Sequence, residues 1–312
     1  MPDAKLPIVF SHANGFPAGT YRVLFDIWRA AGHAVHAIEK FGHDAAYPVT
    51  SNWPKLRDQL IHFTEREAKA PAVFVGHSLG GLLSLLAVCK RPDLAAGLVM
   101  IDSPVVTGWR AHRLQVVKAT GLVRRVSPGR ISRTRRHEWP DRDAVRAHFA
   151  AKAAFARWDP RVLEDYVRAG FEEHDGKTRL AFDRAVETRI YDTLPHHLGT
   201  LLHRHAPKCP VAFLAGTQSV EMRQGGIAAS KALAHGRFAT LEGGHLFPME
   251  KPEDTAAAVL ALLEPATGGP AVAGRETVEP AGQAFGRHVD HSRYRLLGHG
   301  YSLASGSQGG GV

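Results

Sequence analysis

The amino-acid sequence predicts an α/β fold, with a mostly parallel sheet of about six strands flanked by helices. Short apolar runs alternate with amphipathic stretches, which is the pattern of helices that connect parallel strands. The 312 residues are 44% hydrophobic and 22% charged, enough for one sizeable core. A polar stretch between residues 104 and 195 interrupts the alternation. These three observations favour a single core domain with one large insertion.

The expected elements follow one another from the N-terminus. Strands are expected where short apolar runs occur, at residues 7–11, 34–39, 72–75, 97–101, 211–215 and 237–241. Core helices are expected at the stretches between and after them, 20–30, 53–68, 79–89, 224–233 and 253–263. The last helix follows Lys251-Pro252, and proline suits the first turn of a helix.

The chain is expected to divide into three parts. Residues 1–103 and 196–264 would form the core, and residues 104–195 a helical cap over the carboxyl edge of the sheet. Residues 265–312 contain 11 of the 31 glycines and only eight Leu, Ile, Val or Phe. A segment of this composition cannot build a core, so we expect a disordered Gly-rich tail.

The net charge of +9 is concentrated in the first half of the insertion. Residues 104–150 contain eleven Lys or Arg against three Asp or Glu, an excess of +8. Such a surface attracts anionic substrates, phospholipid surfaces or nucleic acid, or it is a solvated surface without a partner. The stretch lacks a zinc-finger, helix-turn-helix or RNA-recognition signature, so no nucleic-acid partner is expected.

The sequence shows no feature of a membrane or secreted protein. No apolar run approaches the roughly 20 residues that cross a bilayer, so no stable membrane insertion is expected. The N-terminus leads directly into a strand rather than a signal peptide, which favours a cytoplasmic location. Two cysteines, Cys89 and Cys209, give neither a disulfide framework nor a metal cluster. No motif for a metal, flavin or nucleotide is present, so we expect no cofactor.

A strand, a sharp turn and a helix meet at residues 76–81. The turn reads Gly76-His77-Ser78-Leu79-Gly80-Gly81, between an apolar run and an apolar helical stretch. A serine hydroxyl is a weak nucleophile until a base takes its proton, and flanking glycines permit the strained turn that exposes it. This strand–Gly-x-Ser-x-Gly–helix pattern is a nucleophile elbow, and it predicts a serine hydrolase with Ser78 as nucleophile.

From residue 6 to about residue 264 the chain resembles the α/β-hydrolase fold superfamily, in particular its bacterial serine esterases, dehalogenases and carbon–carbon hydrolases. The resemblance rests on three motifs in the family's order. The first is the loop 11–17, similar to the family's His-Gly-x oxyanion loop. The elbow at Ser78 is the second, and the third is the loop 242–248, which contains Gly243-Gly244-His245.

The resemblance assigns roles to residues of these motifs. It implies that His245 is the general base, which later protonates the leaving group. It also implies that the backbone N–H groups of Leu79 and Asn14 form an oxyanion hole. Structural roles are expected for two neighbouring histidines, His12 and His77.

The acid of the catalytic triad is the point at which the sequence departs from the family. Relatives usually place it three or four residues beyond the glycine that ends the penultimate strand. Here Gly216 is followed by Thr217-Gln218-Ser219-Val220-Glu221, without an aspartate. Asp102, at the end of the strand 97–101, is the favoured acid and Glu221 the alternative. A triad without a carboxylate is the third possibility.

The N-terminus departs from the family as well. Members normally begin with two further strands, for which this chain has no room before residue 7. The sheet should therefore be reduced to about six parallel strands, with the strand 34–39 at an exposed edge. An exposed edge can pair with a second chain, so a homodimer through this strand is one expectation.

The function that these features favour is hydrolysis of a small-molecule carboxylic ester through a Ser-His-acid triad and an acyl-enzyme. A carbon–carbon bond hydrolase or a thioesterase would use the same triad, and a non-hydrolytic receptor of the same fold is a further alternative. Five aromatic residues of the cap could either line an acyl pocket or pack the cap itself: Trp109, Trp139, Phe149, Phe155 and Trp158.

Overall fold

The computed structural model describes residues 5–68, 71–123 and 127–264, so the predicted tail at 265–312 lies outside the described residues. In chain order the strands are β1 (Ile8–Ser11), β2 (Val35–Ala37), β3 (Ala72–His77), β4 (Ala95–Ile101), β5 (Glu138–Trp139), β6 (Phe171–His174), β7 (Lys177–Leu180), β8 (Val211–Gly216) and β9 (Phe238–Leu241). Each of the six predicted strands is present.

A six-stranded sheet with the order β2-β1-β3-β4-β8-β9 forms the centre of the fold. Every neighbouring pair in it is parallel, which confirms the predicted sheet. Because parallel strands share one direction, the loops that follow β1, β3, β4, β8 and β9 meet at the same edge. The edge strand β2 is only three residues long, so it gives a short edge for pairing with a second chain.

Helices lie on both faces of this sheet and in the segment between β4 and β8. In chain order they are α1 (Arg22–Ala30), α2 (Pro54–Glu67), α3 (Leu79–Lys90), α4 (Gly108–Ala119), α5 (Gly129–Thr134), α6 (Arg142–Ala150), α7 (Pro160–Ala169), α8 (Arg184–Asp192), α9 (Leu198–Arg204), α10 (Val220–Gly225), α11 (Ile227–Ala234), α12 (Phe247–Glu250) and α13 (Pro252–Leu263). The helix expected at 224–233 is divided between α10 and α11 at Gly226, whose φ of 89° interrupts the helical backbone.

Two apolar clusters hold the helices on the sheet. On one face α1 and α13 pack against it, and the indole N–H of Trp28 donates to the carbonyl of Ala256 at 3.2 Å. The other face is covered by α2 and by α3, whose residues from Leu79 to Cys89 are all buried. Burial on every side explains why α3 has no polar face. Within the described parts of the chain, none of the helices is both long and apolar enough to cross a membrane.

The segment between β4 and β8 contains α4 to α9 and, unlike the helical insertion that was expected, a three-stranded antiparallel sheet in the order β5-β7-β6. The hairpin between β6 and β7 turns at Asp175-Gly176, where both residues have positive φ. Asp-Gly is typical of such two-residue turns. The strands themselves were not evident because three of the four residues of β6 are polar and exposed.

Aromatic side chains join this segment to the core. Phe16, in the loop after β1, lies with its ring centroid 5.6 Å from Trp158 and 5.5 Å from Tyr166. Four of the five cap aromatics pack in this apolar cluster and are buried, whereas Trp109 is 60% exposed. Burial in a shared cluster favours packing over pocket lining for those four. Trp109 is exposed, so it neither lines a pocket nor packs within the cap.

Candidate active site

Ser78 occupies a strained turn between β3 and α3. Its φ of 55° and ψ of −115° are rarely adopted by a residue other than glycine. A Cβ on Gly80 would lie 1.9 Å from the carbonyl oxygen of Ser11, and one on Gly76 would lie 2.3 Å from the backbone of Gly80. Only glycine fits at both positions, so the two glycines allow the strand, turn and helix to approach closely.

His245 reaches the serine from the loop after β9. Its Nε2 lies 3.0 Å from the hydroxyl oxygen of Ser78, and its Nδ1 lies 2.7 Å from Oδ2 of Asp102. The structure therefore brings the expected nucleophile, base and favoured acid into one hydrogen-bonded series. Because Nδ1–H donates to the carboxylate, Nε2 is free to accept the proton of the serine hydroxyl.

Asp102 is fully buried directly after β4, with a φ of 44°. The backbone N–H of Gly216 donates to its Oδ1 at 2.8 Å, and the hydroxyl of Ser219 donates to its Oδ2 at 2.5 Å. With the contact to His245, the carboxylate is held by three donors. Ser219 was not predicted, although a hydroxyl three residues after Gly216, where relatives carry their acid, was the available signal.

Glu221 is also near the imidazole but farther away. Its Oε2 lies 3.9 Å from Nδ1 of His245 and 3.4 Å from the hydroxyl of Ser219. Burial alone would lower the pKa of His245, but the charge of Glu221 and the hydrogen bond and charge of Asp102 raise it above its ordinary value. Both candidate acids thus act on His245, and only Asp102 is within hydrogen-bond distance.

The two expected oxyanion donors lie on adjoining segments. Leu79 is the first residue of α3, so its backbone N–H has no acceptor within the helix. Asn14 is buried in the loop after β1. The end of β1 is close to the elbow, because Ser11 packs directly against Gly80. The side-chain amide of Asn14 donates to the carbonyl of Glu187 at 3.0 Å, which anchors this loop to α8.

A buried hydrogen-bond chain connects the oxyanion loop to the loop of His245. The backbone N–H of Ala13 donates to the hydroxyl of Tyr21 at 3.1 Å, and that hydroxyl lies 2.8 Å from Nδ1 of His77. On its other side, Nε2 of His77 donates to the carbonyl of His245 at 2.9 Å. Burial, and then the charge of His245, lowers the pKa of His77 to about 3. His77 is therefore neutral at pH 7 and links the two loops.

His12 orders the same loop in a second way. Its Nε2 accepts the backbone N–H of Phe41 at 3.0 Å, and its Nδ1 lies 2.8 Å from the carbonyl of Ala13. Burial lowers the pKa of His12 to about 4, so the ring is neutral near pH 7. This geometry gives His12 the structural position that was expected for it. The role of Tyr21 was not expected, because no motif marks a tyrosine within a helical stretch.

An ion pair of the insertion, between the buried Glu187 and the partly buried Arg135, lies over the oxyanion loop. Glu187 is 2.6 Å from the guanidinium of Arg135 and accepts the hydroxyl of Ser132 at 2.9 Å. Its carboxylate approaches so closely that a Cβ on Gly15 would lie 2.9 Å from Oε1. Glu187 therefore contacts the loop of Asn14 with both its carbonyl and its carboxylate.

Three side chains of the site could supply metal ligands. One ligand atom each from Asp102, Glu221 and His245 falls within 4.8 Å of the others. However, the hydrogen bonds already described account for the carboxylate of Asp102 and for Nδ1 of His245. The donor set is therefore better explained as a hydrogen-bonded triad than as a metal centre.

Comparison with known proteins places this chain in a family. A sequence model of the alpha/beta hydrolase family matches residues 8–258. A monoglyceride lipase homolog from Monkeypox virus is 26% identical over 187 residues, which cover 54% of this chain and 60% of that protein. Monoglyceride lipase from Rattus norvegicus is 28% identical over 131 residues, 40% of this chain and 43% of that protein. The chain thus spans less than two thirds of either relative.

Solved structures share the fold at low identity. The crystal structure of E-2-(acetamidomethylene)succinate hydrolase matches with a TM-score of 0.64 at 22% identity, covering 82% of this chain and 90% of that one. A thioesterase domain from the curacin biosynthetic pathway also has a TM-score of 0.64, at 18% identity, covering 83% and 93%. Together with the family match over most of its length, this fold shows that the chain belongs to the alpha/beta hydrolase family.

Proposed function

We propose that the chain is a serine hydrolase of carboxylic esters, with Ser78 as nucleophile, His245 as base and Asp102 as acid. The observation that supports this most directly is the series of contacts at 3.0 Å from Ser78 to His245 and 2.7 Å from His245 to Asp102. The geometry is that of a base poised on a hydroxyl and oriented by a carboxylate. Hydrolase relatives support the reaction class.

Acylation would begin when Nε2 of His245 takes the proton of Ser78 and the serine oxygen attacks the ester carbonyl carbon. The carbonyl π electrons move to oxygen, and this oxyanion would accept the backbone N–H groups of Leu79 and Asn14. Collapse of the intermediate breaks the bond to the alcohol oxygen, which receives the proton from His245. The products are an alcohol and an acyl ester of Ser78.

Deacylation would repeat these steps with water. His245 removes a proton from the water as its oxygen attacks the acyl carbon, and the second oxyanion uses the same two N–H groups. Return of the proton to the oxygen of Ser78 releases the carboxylic acid. The carboxylate of Asp102 stabilises the imidazolium in both halves of the cycle.

Monoacylglycerols are the first substrates to test. Two relatives are a monoglyceride lipase and a homolog of one, and each aligns with less than two thirds of its length. An ester panel should therefore include monoacylglycerols, short soluble esters and an S-acyl thioester. Turnover of the thioester alone would favour the thioesterase alternative, and binding without turnover of any substrate would favour a receptor.

Replacement of the nucleophile tests the proposal. Ser78→Ala should lower ester turnover by about three orders of magnitude or more and abolish covalent labelling by a fluorophosphonate. Ser84→Ala, on the same helix, serves as the matched control and should still be labelled. Labelling of the Ser78 variant as strong as that of the wild type would contradict the assignment.

A further inference from the structure

Four exposed apolar side chains lie on or next to helix α4. Among the described residues, large apolar side chains with substantial exposure include Trp109 at 60%, Val116 at 47%, Leu122 at 46% and Ile227 at 40%. The first two belong to α4, and Leu122 follows within three residues of its end. Isolated exposed apolar residues are common, but several on one helix and its neighbour indicate a surface with a partner.

The geometry of α4 places these side chains outward. Trp109, Arg113 and Val116 are spaced by four and three residues and are all exposed, so they share a face of the helix. The opposite side contacts the protein through the buried Ala111 and through Lys118, whose ammonium donates to the carbonyl of Leu194 at 2.8 Å. The helix is therefore fixed on one side and free of described contacts on the other.

Ile227 extends this surface from the neighbouring α11. A Cβ on Gly226, the residue before it, would lie 2.9 Å from a guanidinium nitrogen of Arg110. The start of α11 therefore packs beside the start of α4. We name these exposed side chains the α4 surface: Trp109, Arg110, Arg113, Val116, Leu122 and Ile227.

The charge of the α4 surface is entirely positive. No Asp or Glu occurs between Asp102 and Glu138, a stretch with nine Lys or Arg. Arg110 and Arg113 lie over the ring of Trp109 at 4.9 and 5.3 Å. Among the described residues, no carboxylate comes within ion-pair distance of either guanidinium. By contrast, Arg135 and other arginines of the insertion are paired with acids, so the α4 surface retains its charge.

We propose that the α4 surface docks the protein onto an anionic phospholipid membrane surface. A helix with arginines on one exposed face, together with a tryptophan and aliphatic side chains, fits the boundary between headgroups and acyl chains. The absence of acids from this stretch of sequence favours an anionic over a neutral surface. The docking depends on none of the residues assigned to catalysis, so it can be tested apart from hydrolysis.

Tryptophan fluorescence gives a direct reading of docking. Trp109 is exposed, whereas Trp28, Trp53, Trp139 and Trp158 are buried, so quenching by acrylamide reports mainly on Trp109. Vesicles of phosphatidylcholine mixed with phosphatidylglycerol should shift its emission to the blue, protect it from quenching and sediment with the protein at low salt. Vesicles of phosphatidylcholine alone should do much less, and high salt should reverse the binding.

Removal of the two arginine charges of the α4 surface tests whether they drive binding to anionic vesicles. Arg110→Gln with Arg113→Gln should weaken partitioning onto the anionic vesicles about 25-fold, since each cation contributes roughly a factor of five. The control is Arg29→Gln with Arg66→Gln, which also removes two exposed arginines that lie over phenylalanine rings. It should weaken partitioning far less, and neither pair should change turnover of a soluble short-chain ester.

Three outcomes would overturn the proposal. The first is that neither vesicle changes the fluorescence or sediments with the protein. The second is that both pairs of substitutions weaken binding equally, which would make the attraction a property of total charge. The third is self-association in ultracentrifugation that the Arg110 and Arg113 substitutions abolish, with no vesicle binding, which would make the α4 surface a contact between copies of this chain.

Discussion

The two sides of the candidate active site are held by different kinds of interaction. On the sheet side, Ser78, Asp102 and His245 follow strand ends, and their side chains are joined by hydrogen bonds of 2.7 and 3.0 Å. The backbone N–H groups of Ser78 and Asp102 donate to carbonyls of the neighbouring strands at 2.9 and 2.8 Å. On the insertion side, the oxyanion loop contacts Glu187, which is paired with Arg135. The sheet side is positioned by the backbone and the insertion side by charge.

This difference predicts which substitutions change turnover and which change stability. Strained backbone at Ser78 and Asp102 is tolerated because the surrounding sheet determines their position. An ion pair with a buried carboxylate adds little net stability because desolvation offsets much of its attraction, but removal of one partner leaves an unpaired buried charge that is strongly destabilising. We therefore expect substitutions on the sheet side to change turnover with little loss of stability. On the insertion side we expect the reverse.

Asp102→Asn gives the largest expected effect on turnover. An asparagine could keep the contacts to Gly216 and Ser219, but its amide N–H would favour the tautomer of His245 that cannot accept the serine proton. We expect turnover to fall by about four orders of magnitude with the thermal midpoint nearly unchanged. Kinetics and calorimetry of the same preparation check both statements. Full activity would remove Asp102 from the triad and contradict the role of the sheet side.

The sequence predicts the sheet and the motifs, whereas for the acid it favours Asp102 but leaves Glu221 open. Strand periodicity and the elbow depend on local sequence, which is why the six strands and the turn at Ser78 were predicted. Whether Asp102 or Glu221 faces His245 depends on how far the loop after β8 extends and on Ser219, which fills the usual position of the acid. Such contacts join residues more than a hundred positions apart.

The insertion was harder to predict for a related reason. Arg135 and Glu187 are separated by about fifty positions, and their pairing depends on the packing of α5 against α8, which no local pattern encodes. The Asp175-Gly176 turn was a usable local signal, but the exposed, charged residues of β6 concealed the strand. The position of Tyr21 is also a tertiary contact, made with residues of two other segments.

Arg135→Met tests the insertion side and should mainly reduce stability. It leaves the Glu187 carboxylate buried without its cation, which typically costs about 3–5 kcal/mol of unfolding free energy. Adding Glu187→Leu should recover most of that loss, because the isolated charge is then gone. Urea denaturation of the two single variants and the double variant measures the coupling. Single variants that differ from the wild type by less than about 0.5 kcal/mol would show that the pair is not an anchor.

Tyr21→Phe tests the connection between the two loops and should have an intermediate effect. It removes the hydroxyl that accepts the N–H of Ala13 and contacts His77, so both buried partners lose a hydrogen bond. We expect kcat to fall about tenfold with KM nearly constant. A displaced oxyanion-hole N–H would stabilise the transition state less, by about 1 kcal/mol or more. Tyr47→Phe, which loses only an exposed contact to His62, is the matched control. Equal kinetics for the two variants would show that the chain from Ala13 to His245 has no role in positioning.

Glu221→Gln should have the smallest effect on turnover and a distinct effect on its pH dependence. His245 must be neutral to act as base, and its raised pKa moves the onset of activity above the ordinary histidine value of about 6.5. Removing the Glu221 charge lowers that pKa, so the midpoint of kcat/KM should move to lower pH while the plateau at high pH stays close to that of the wild type. Glu242→Gln is the control, because this exposed carboxylate near His245 in sequence is paired with Lys251 at 2.8 Å. If the kcat/KM plateau at high pH is lost and the pH midpoint does not move, Glu221 rather than Asp102 would be the acid of the triad.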